Sequence, residues 1–209
     1  MESTSGRRGA ILAAAQTCFW RNGMRRTAIE DVAREAGVAK GTVYLYFASK
    51  EELFATLAAE LCEASLQGVR AALSGRGGLT RRLAGAIDAK IGHFHRLLAG
   101  SPHAAELLES TAAIAERSFK SLDESFLEAI DGALADARVG ADARARVELR
   151  DVILAAGYGT AHQAELRNET SPEVYRARLQ LHLDLVLGPA ERARAVRNRA
   201  ARARSRAAR

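Results

Sequence analysis

The segment Lys40–Lys50, KGTVYLYFASK, concentrates the groups in this chain best suited to holding a polyanion. Lys40 and Lys50 bring ammonium groups, Thr42 a hydroxyl, and Tyr44 and Tyr46 phenols. Such groups donate hydrogen bonds to phosphate and sugar without any catalytic partner. Local propensity points elsewhere: TVYLYF is β-branched or aromatic apart from one Leu, the composition of a strand. No second run of that kind is present to pair with it, and a lone strand leaves its backbone groups unsatisfied. A short helix from about Ala39 to Phe47 is therefore expected. Val43 and Phe47 then share an inward face, four residues apart. Lys40, Thr42, Tyr44, Leu45 and Tyr46 fall on the other faces and present hydroxyls and a cation.

Other chemistry is not apparent. No Ser/His/Asp, Cys/His or paired-carboxylate arrangement can be picked out, and Gly157-Tyr158-Gly159 lies inside a helical pattern rather than in a phosphate loop. His93 and His95 are two apart, which on a helix turns them about 200° from one another. No metal, no cofactor and no enzymatic activity are expected. Cys18 and Cys62 lack a CxxC or His-rich context and read as reduced core thiols.

The elements around the segment are helical. Ile11, Leu12, Ala15 and Phe19 form one face of a helix from about Arg7 to Asn22, closed by Gly23. Thr27 and Glu30 have capping-box spacing for a second, short helix that ends at Gly37. Ser49 and Glu52 repeat that spacing at the head of a long helix reaching about Leu73. After the joint SGRGG at 74–78, helical patterns run over 80–98, from Ser101-Pro102, over 114–137 and 145–168, and from Ser171 to the stop Gly188-Pro189. The fold class is all-α. Three domains are expected: 1–48 around the polyanion-holding segment, a larger helical body over 49–188, and a flexible Arg/Ala-rich tail, 189–209.

Charge follows the same division. The formal net charge is +6. Residues 1–47 carry seven basic and four acidic side chains, 48–188 carry 16 and 20, and 189–209 carry eight Arg and one Glu. Basic ends around an acidic body indicate a nucleic-acid module joined to a separate body. No run approaches the roughly 18 apolar residues of a membrane span, and no signal-peptide cleavage pattern follows the N-terminal apolar run. The protein is expected to be cytoplasmic, at the nucleoid when bound to DNA.

The second helix, the turn at Gly37-Val38 and the Ala39–Phe47 helix make a helix-turn-helix. Residues 23–54, GMRRTAIEDVAREAGVAKGTVYLYFASKEELF, resemble the DNA-binding region of the TetR family of bacterial transcription regulators. The resemblance lies in IxxVAxxAGV, KGTVYxYF and SKEELF and departs from the family's usual small hydroxyl residue at Arg26. It implies a homodimeric repressor of a palindromic double-stranded DNA operator, released by a small-molecule effector; an activator or an effector-independent DNA binder is the alternative. On that resemblance Lys40, Gly41 and Thr42 open the recognition helix at the groove. Leu45 meets a thymine methyl. Tyr44, Tyr46 and Lys50 reach phosphate or sugar, and Thr27 caps the second helix beside a phosphate. Candidate effector-pocket residues are Phe94, Phe119, Phe126 and Tyr158. The last two long helices are expected to form the dimer interface, with Ala156, Gly159, Leu179, Leu183 and Val186 on it, although packing within the chain has the same pattern.

The tail is open to two readings, a solvated extension or an accessory arm for phosphate. If it is an arm, deleting 190–209 lowers affinity for DNA and flattens the dependence of log affinity on log salt, by about 0.9 for each phosphate the arm had neutralised. The preferred sequence stays the same. An unchanged slope in a salt series identifies a solvated extension.

Overall fold

A computed structural model describes the backbone of residues 4–140, 142–167, 169 and 171–207, with side chains between Gly6 and Pro189. Among the described residues ten α-helices follow one another: α1 (Thr4–Asn22), α2 (Ile29–Glu35), α3 (Lys40–Tyr44), α4 (Lys50–Ser74), α5 (Leu79–Ile87), α6 (His93–Ala99), α7 (Ala104–Ile114), α8 (Glu116–Asp136), α9 (Ala143–Leu166) and α10 (Pro172–Ala207). No strand occurs among the described residues, and no helix of theirs is long and apolar enough to cross a membrane. Helix starts are chemically marked. Ser49 Oγ accepts from Glu52 N–H at 3.1 Å, Asp142 Oδ1 from Ala145 N–H at 2.9 Å, and Ser171 Oγ from Val174 N–H at 3.3 Å.

Two compact units share this chain, one of Met1–Leu66 with Phe94–Ser125, the other of Gln67–His93 with Phe126–Arg209. The first unit does not stop at the end of the helix-turn-helix. Its core takes Ile11, Ala15 and Phe19 from α1, Val32 from α2, Val43 of α3 with Phe47 just after it, Leu53 and Leu57 from α4, and Leu107 from α7. Phe19 meets Phe54 edge-on, ring centroids 5.4 Å apart. Cys18 belongs to this core and Cys62 to a smaller cluster with Leu66 and Leu122.

In the second unit α5, α8, α9 and α10 bury Leu83, Ile87, Ile130, Leu134, Ile153 and Leu187. Tyr175 is fully buried there, and its hydroxyl donates to the carbonyl of Gly157 at 3.2 Å. Gly157 is a close-approach position: a Cβ on it would sit 2.7 Å from Ile87 Cγ2. The small residues of α9 thus admit a helix of the same chain at Gly157, while Gly159 has open space beside it.

Three expectations change. The helix expected over 80–98 is interrupted by a π-helical turn at Asp88–Gly92, a wider turn that rearranges the i→i−4 ladder. Ser101 does not cap a helix: α7 begins at Ala104, and Ser101 Oγ instead accepts from His103 N–H at 3.0 Å and donates to the carbonyl of Trp20 at 2.7 Å. Gly188-Pro189 does not end α10, which continues through Pro189 to Ala207. Proline costs an interior helix about 3 kcal/mol, but Ala and Arg, which dominate 190–207, are among the strongest helix formers. The side chains of that tail lie outside the described residues.

Gly157→Ala is expected to overpack the second unit against Ile87 and to lower stability by about 1–3 kcal/mol in urea unfolding. Gly132→Ala, at an exposed position of α8 with open space around it, is expected to raise stability by up to about 1 kcal/mol.

Candidate nucleic-acid interface

The turn between α1 and α2 sets the position of everything after it. Gly23 ends α1 with φ +80°, and its N–H reaches the carbonyl of Phe19 at 2.9 Å. A Cβ there would also fall 2.6 Å from Glu106 Oε2. Glu106 instead accepts the backbone N–H of Arg25 at 2.6 Å. No local pattern in the sequence signals Glu106, because it acts from 81 residues away.

Thr27 and Lys50 are employed differently from expectation. Thr27 is buried, 1% exposed, and its hydroxyl lies 2.7 Å from the carbonyl of Gly23 and 3.1 Å from that of Cys18. Its hydroxyl is turned into the protein, away from any phosphate. Ala28 is the N-cap of α2, and the capping interaction comes from Asp31, whose Oδ2 accepts the Ala28 N–H at 3.0 Å. Lys50 Nζ donates to the carbonyls of Met24 at 2.9 Å, Thr27 at 3.0 Å and Arg25 at 3.4 Å. An ammonium has three protons, so Lys50 is a strut of the turn rather than a free phosphate contact.

The third helix presents the face expected of it, though its α-helical span is shorter. Val43 and Phe47 are 0% and 2% exposed, whereas Tyr44 is 47% and Leu45 83% exposed. Lys40 and Gly41 are exposed, and Thr42 is half-buried. Nothing in the chain approaches the place of a Cβ at Gly41, so its own packing does not demand a glycine there. Tyr46 is half-buried and packs on the core of the first unit. Lys40 Nζ pairs with Glu30 Oε1 at 2.5 Å and lies 5.7 Å from the centre of the Tyr44 ring. The hydrogen bond from Lys40 holds the Glu30 carboxyl below its ordinary range, and the same bond pushes the Lys40 ammonium up. Burial pushes the Cys18 thiol up, with the Glu35 carboxylate adding to the effect, so this core thiol is a poor nucleophile. An open groove beside Tyr44 is lined by Arg25, Arg26, Ser49 and Lys50. Arg25 is a cation of this surface that the motif reading passed over, and Arg26 one that it noted only as a departure from the family pattern.

The same unit encloses an apolar cavity of about 90 Å³. Phe94 and Phe119 line it, their ring centroids 5.3 Å apart. Phe126 and Tyr158 do not. Phe126 is 2% exposed in the core of the second unit, where Lys90 Nζ lies 5.1 Å from its ring centre, and Tyr158 is 54% exposed. The expected interface residues divide as well. Leu179 and Leu183 are fully buried within the chain, and Ala156 and Val186 are half-buried against the same core. Gly159 is exposed. The aliphatic side chains of α9 and α10 that are at least 50% accessible are instead Val152, Leu166, Leu181 and Leu185.

Residues 11–57 match the family described as bacterial regulatory proteins, tetR family. The uncharacterised HTH-type transcriptional regulator YfiR of Bacillus subtilis is 47% identical over 53 residues, 25% of this chain and 26% of that protein. The HTH-type transcriptional repressor KstR2 of Mycobacterium tuberculosis is 43% identical over 49 residues, 23% of this chain and 24% of KstR2. The chain thus spans about a quarter of the length of these curated relatives. Among solved structures, a TetR-family transcriptional regulator from Streptomyces coelicolor superimposes with a TM-score of 0.66 over 88% of this chain and 96% of its own, at 17% identity. The transcriptional regulator FadR of Bacillus subtilis, in complex with stearoyl-CoA, gives a TM-score of 0.60 over 85% and 96%, at 20% identity. The whole helical fold is shared with these proteins; sequence likeness is concentrated in the first unit.

Lys50→Ala is expected to lower stability by about 2 kcal/mol, because three main-chain carbonyls lose a charged donor. Lys40→Ala is expected to leave the unfolding midpoint unchanged. Urea unfolding of the two variants separates the strut from the surface cation.

Proposed function

We propose that this chain, which carries the N-terminal domain of the tetR family of bacterial regulatory proteins, is a cytoplasmic, DNA-binding transcriptional regulator. The observation that carries the reading is the division of α3 and its flanks into two faces. Val43 and Phe47 are held in the core, while Lys40, Tyr44 and Leu45 stand in solvent. A helix of five residues that exposes a Tyr beside a cation and a Leu at its C-cap has poor reason to do so in water and good reason to do so against base edges and phosphates. Lys40 and Tyr44 would contact the backbone, Thr42 and Leu45 the bases, and the open backbone at Gly41 would allow close approach.

The regulator acts as a homodimer. Val152, Leu166, Leu181 and Leu185 on α9 and α10 form the apolar surface a second copy would cover, with Gly159 allowing close approach. Two recognition helices then meet half-sites roughly 34–36 Å apart in successive major grooves of a palindromic operator. A small molecule held in the apolar cavity favours a dimer whose heads are spaced wrongly for the operator, which is repression relieved by an effector. Such a ligand acts only through its differential affinity for the two states. The repressor KstR2 and the stearoyl-CoA complex of FadR support repression and ligand response.

Selection of genomic fragments by the purified full-length protein tests the reading. Retention of a small set of fragments sharing an inverted repeat is expected. Tyr44→Ala and Lys40→Ala are each expected to lower affinity for them by roughly 5- to 150-fold, the range of about 1–3 kcal/mol per contact. Undiminished affinity of both variants at moderate salt would mean that α3 does not enter the groove.

A further inference from the structure

The chemistry of the cavity in the first unit narrows what can enter it. Its wall comes from α1, α4, α6, α7 and α8, and none of its lining residues is ionisable. Only two side-chain donors belong to the wall, and both are committed. Trp20 Nε1–H donates to the carbonyl of Leu97 at 2.8 Å, and Thr111 Oγ1–H to the carbonyl of Leu107 at 2.8 Å. A polar or charged group buried there would lose its water and gain no donor in return. Most ligand sites place a few polar anchors among apolar walls; this one has none free. The volume, about 90 Å³, is smaller than the roughly 150 Å³ of an apolar cavity that holds benzene, so it takes no more than a small apolar group. Leu108, a lining residue that is 54% exposed, marks the mouth on α7.

One wall belongs to the DNA-binding head. Trp20 stands in the last turn of α1, and besides its indole bond to Leu97 its carbonyl accepts from Ser101 Oγ at 2.7 Å. Three residues on is Gly23, followed by the turn that Lys50 and Glu106 hold. A group entering beside the indole therefore bears on the end of α1, from which α2 and α3 follow.

We propose that the effector presents to this cavity a small uncharged hydrocarbon group, about the size of a benzene ring or less, and that Trp20 is the side chain through which its arrival reaches the head. This rests on the reading of the chain as an effector-responsive regulator. The ligand enters beside the indole, which keeps its bond to the Leu97 carbonyl at 2.8 Å and moves with the end of α1.

Trp20 is the only tryptophan of the chain, so its emission reports the cavity directly. The full-length protein is titrated with benzene and, separately, with benzoate, in which a carboxylate replaces one hydrogen. A saturable change in Trp20 emission with benzene is expected, at least tenfold weaker or absent with the benzoate. Ala58→Phe, which fills the cavity from α4, is expected to abolish the response, and Leu61→Phe at a half-buried wall position to do so if the first variant does not fold. No emission change with benzene, or equal affinity for the two probes, overturns the ligand class. On the genomic fragments, benzene is expected to lower the affinity of the wild type at least fivefold. Trp20→Phe, compared with its own affinity in the absence of ligand, is expected to be released by benzene less than twofold; release as in the wild type overturns the role of Trp20. Release by a charged compound with no benzene response refutes the hydrocarbon class and leaves the regulator standing. Saturable benzene binding by a protein that retains no DNA refutes the regulator and the signalling role, and leaves the ligand class standing.

Discussion

The ammonium of Lys50 is the point on which the head is hung. Three carbonyls of one turn, from Met24, Arg25 and Thr27, converge on it. A turn that leaves α1 and enters α2 within a few residues cannot pair those carbonyls in a helix ladder, and carbonyls left without partners are costly to bury. One charged donor from the first turn of α4 satisfies them together. Glu106 does the complementary work, taking the Arg25 N–H at 2.6 Å, and Thr27 closes the turn from inside. A cation, a carboxylate and a hydroxyl thus fix where α2 begins. The position of α2, packed on α1 through Val32, fixes where α3 can lie.

Much of this was legible in the chain because it is local. Val43 and Phe47 are four apart with polar neighbours, and only a helical turn buries both. Ser49 and Glu52 mark the start of α4 with the spacing that the capping bonds require. Thr27 was misread for an instructive reason: it has the cap's residue type at the cap's spacing, but the chain starts α2 two residues later and turns the hydroxyl inward. The employment of Lys50 rests on partners at least 23 residues away, which no local pattern encodes.

The body was less legible. In α10 both Leu179/Leu183 and Leu181/Leu185 are four apart, so helical spacing alone gives two apolar stripes and no means of choosing between them. Packing decides: the first pair fills the core beside Tyr175, and the second stays in solvent. The aromatics divide in the same way. Phe94 and Phe119 leave space between α6 and α8, while Phe126, seven residues further along α8, meets a filled core. Residue type marks a large apolar side chain, but the neighbours decide whether it lines a void.

One feature of the head bears on how such a regulator would behave in a genome. Four of its surface cations come already matched: Lys40 with Glu30, Arg25 with Glu109, Arg21 with Glu35 and Arg34 with Asp31. A surface of bare cations would be held by any duplex, and a chromosome offers on the order of a million or more wrong positions for each right one. Paired cations attract an arbitrary stretch of DNA weakly. On the proposed reading they would yield their partners where base edges, met by Thr42 and Leu45, add what the backbone alone does not. The carboxylates beside the recognition helix would then discriminate against the bulk of the chromosome, so that few copies of the protein are sequestered on it.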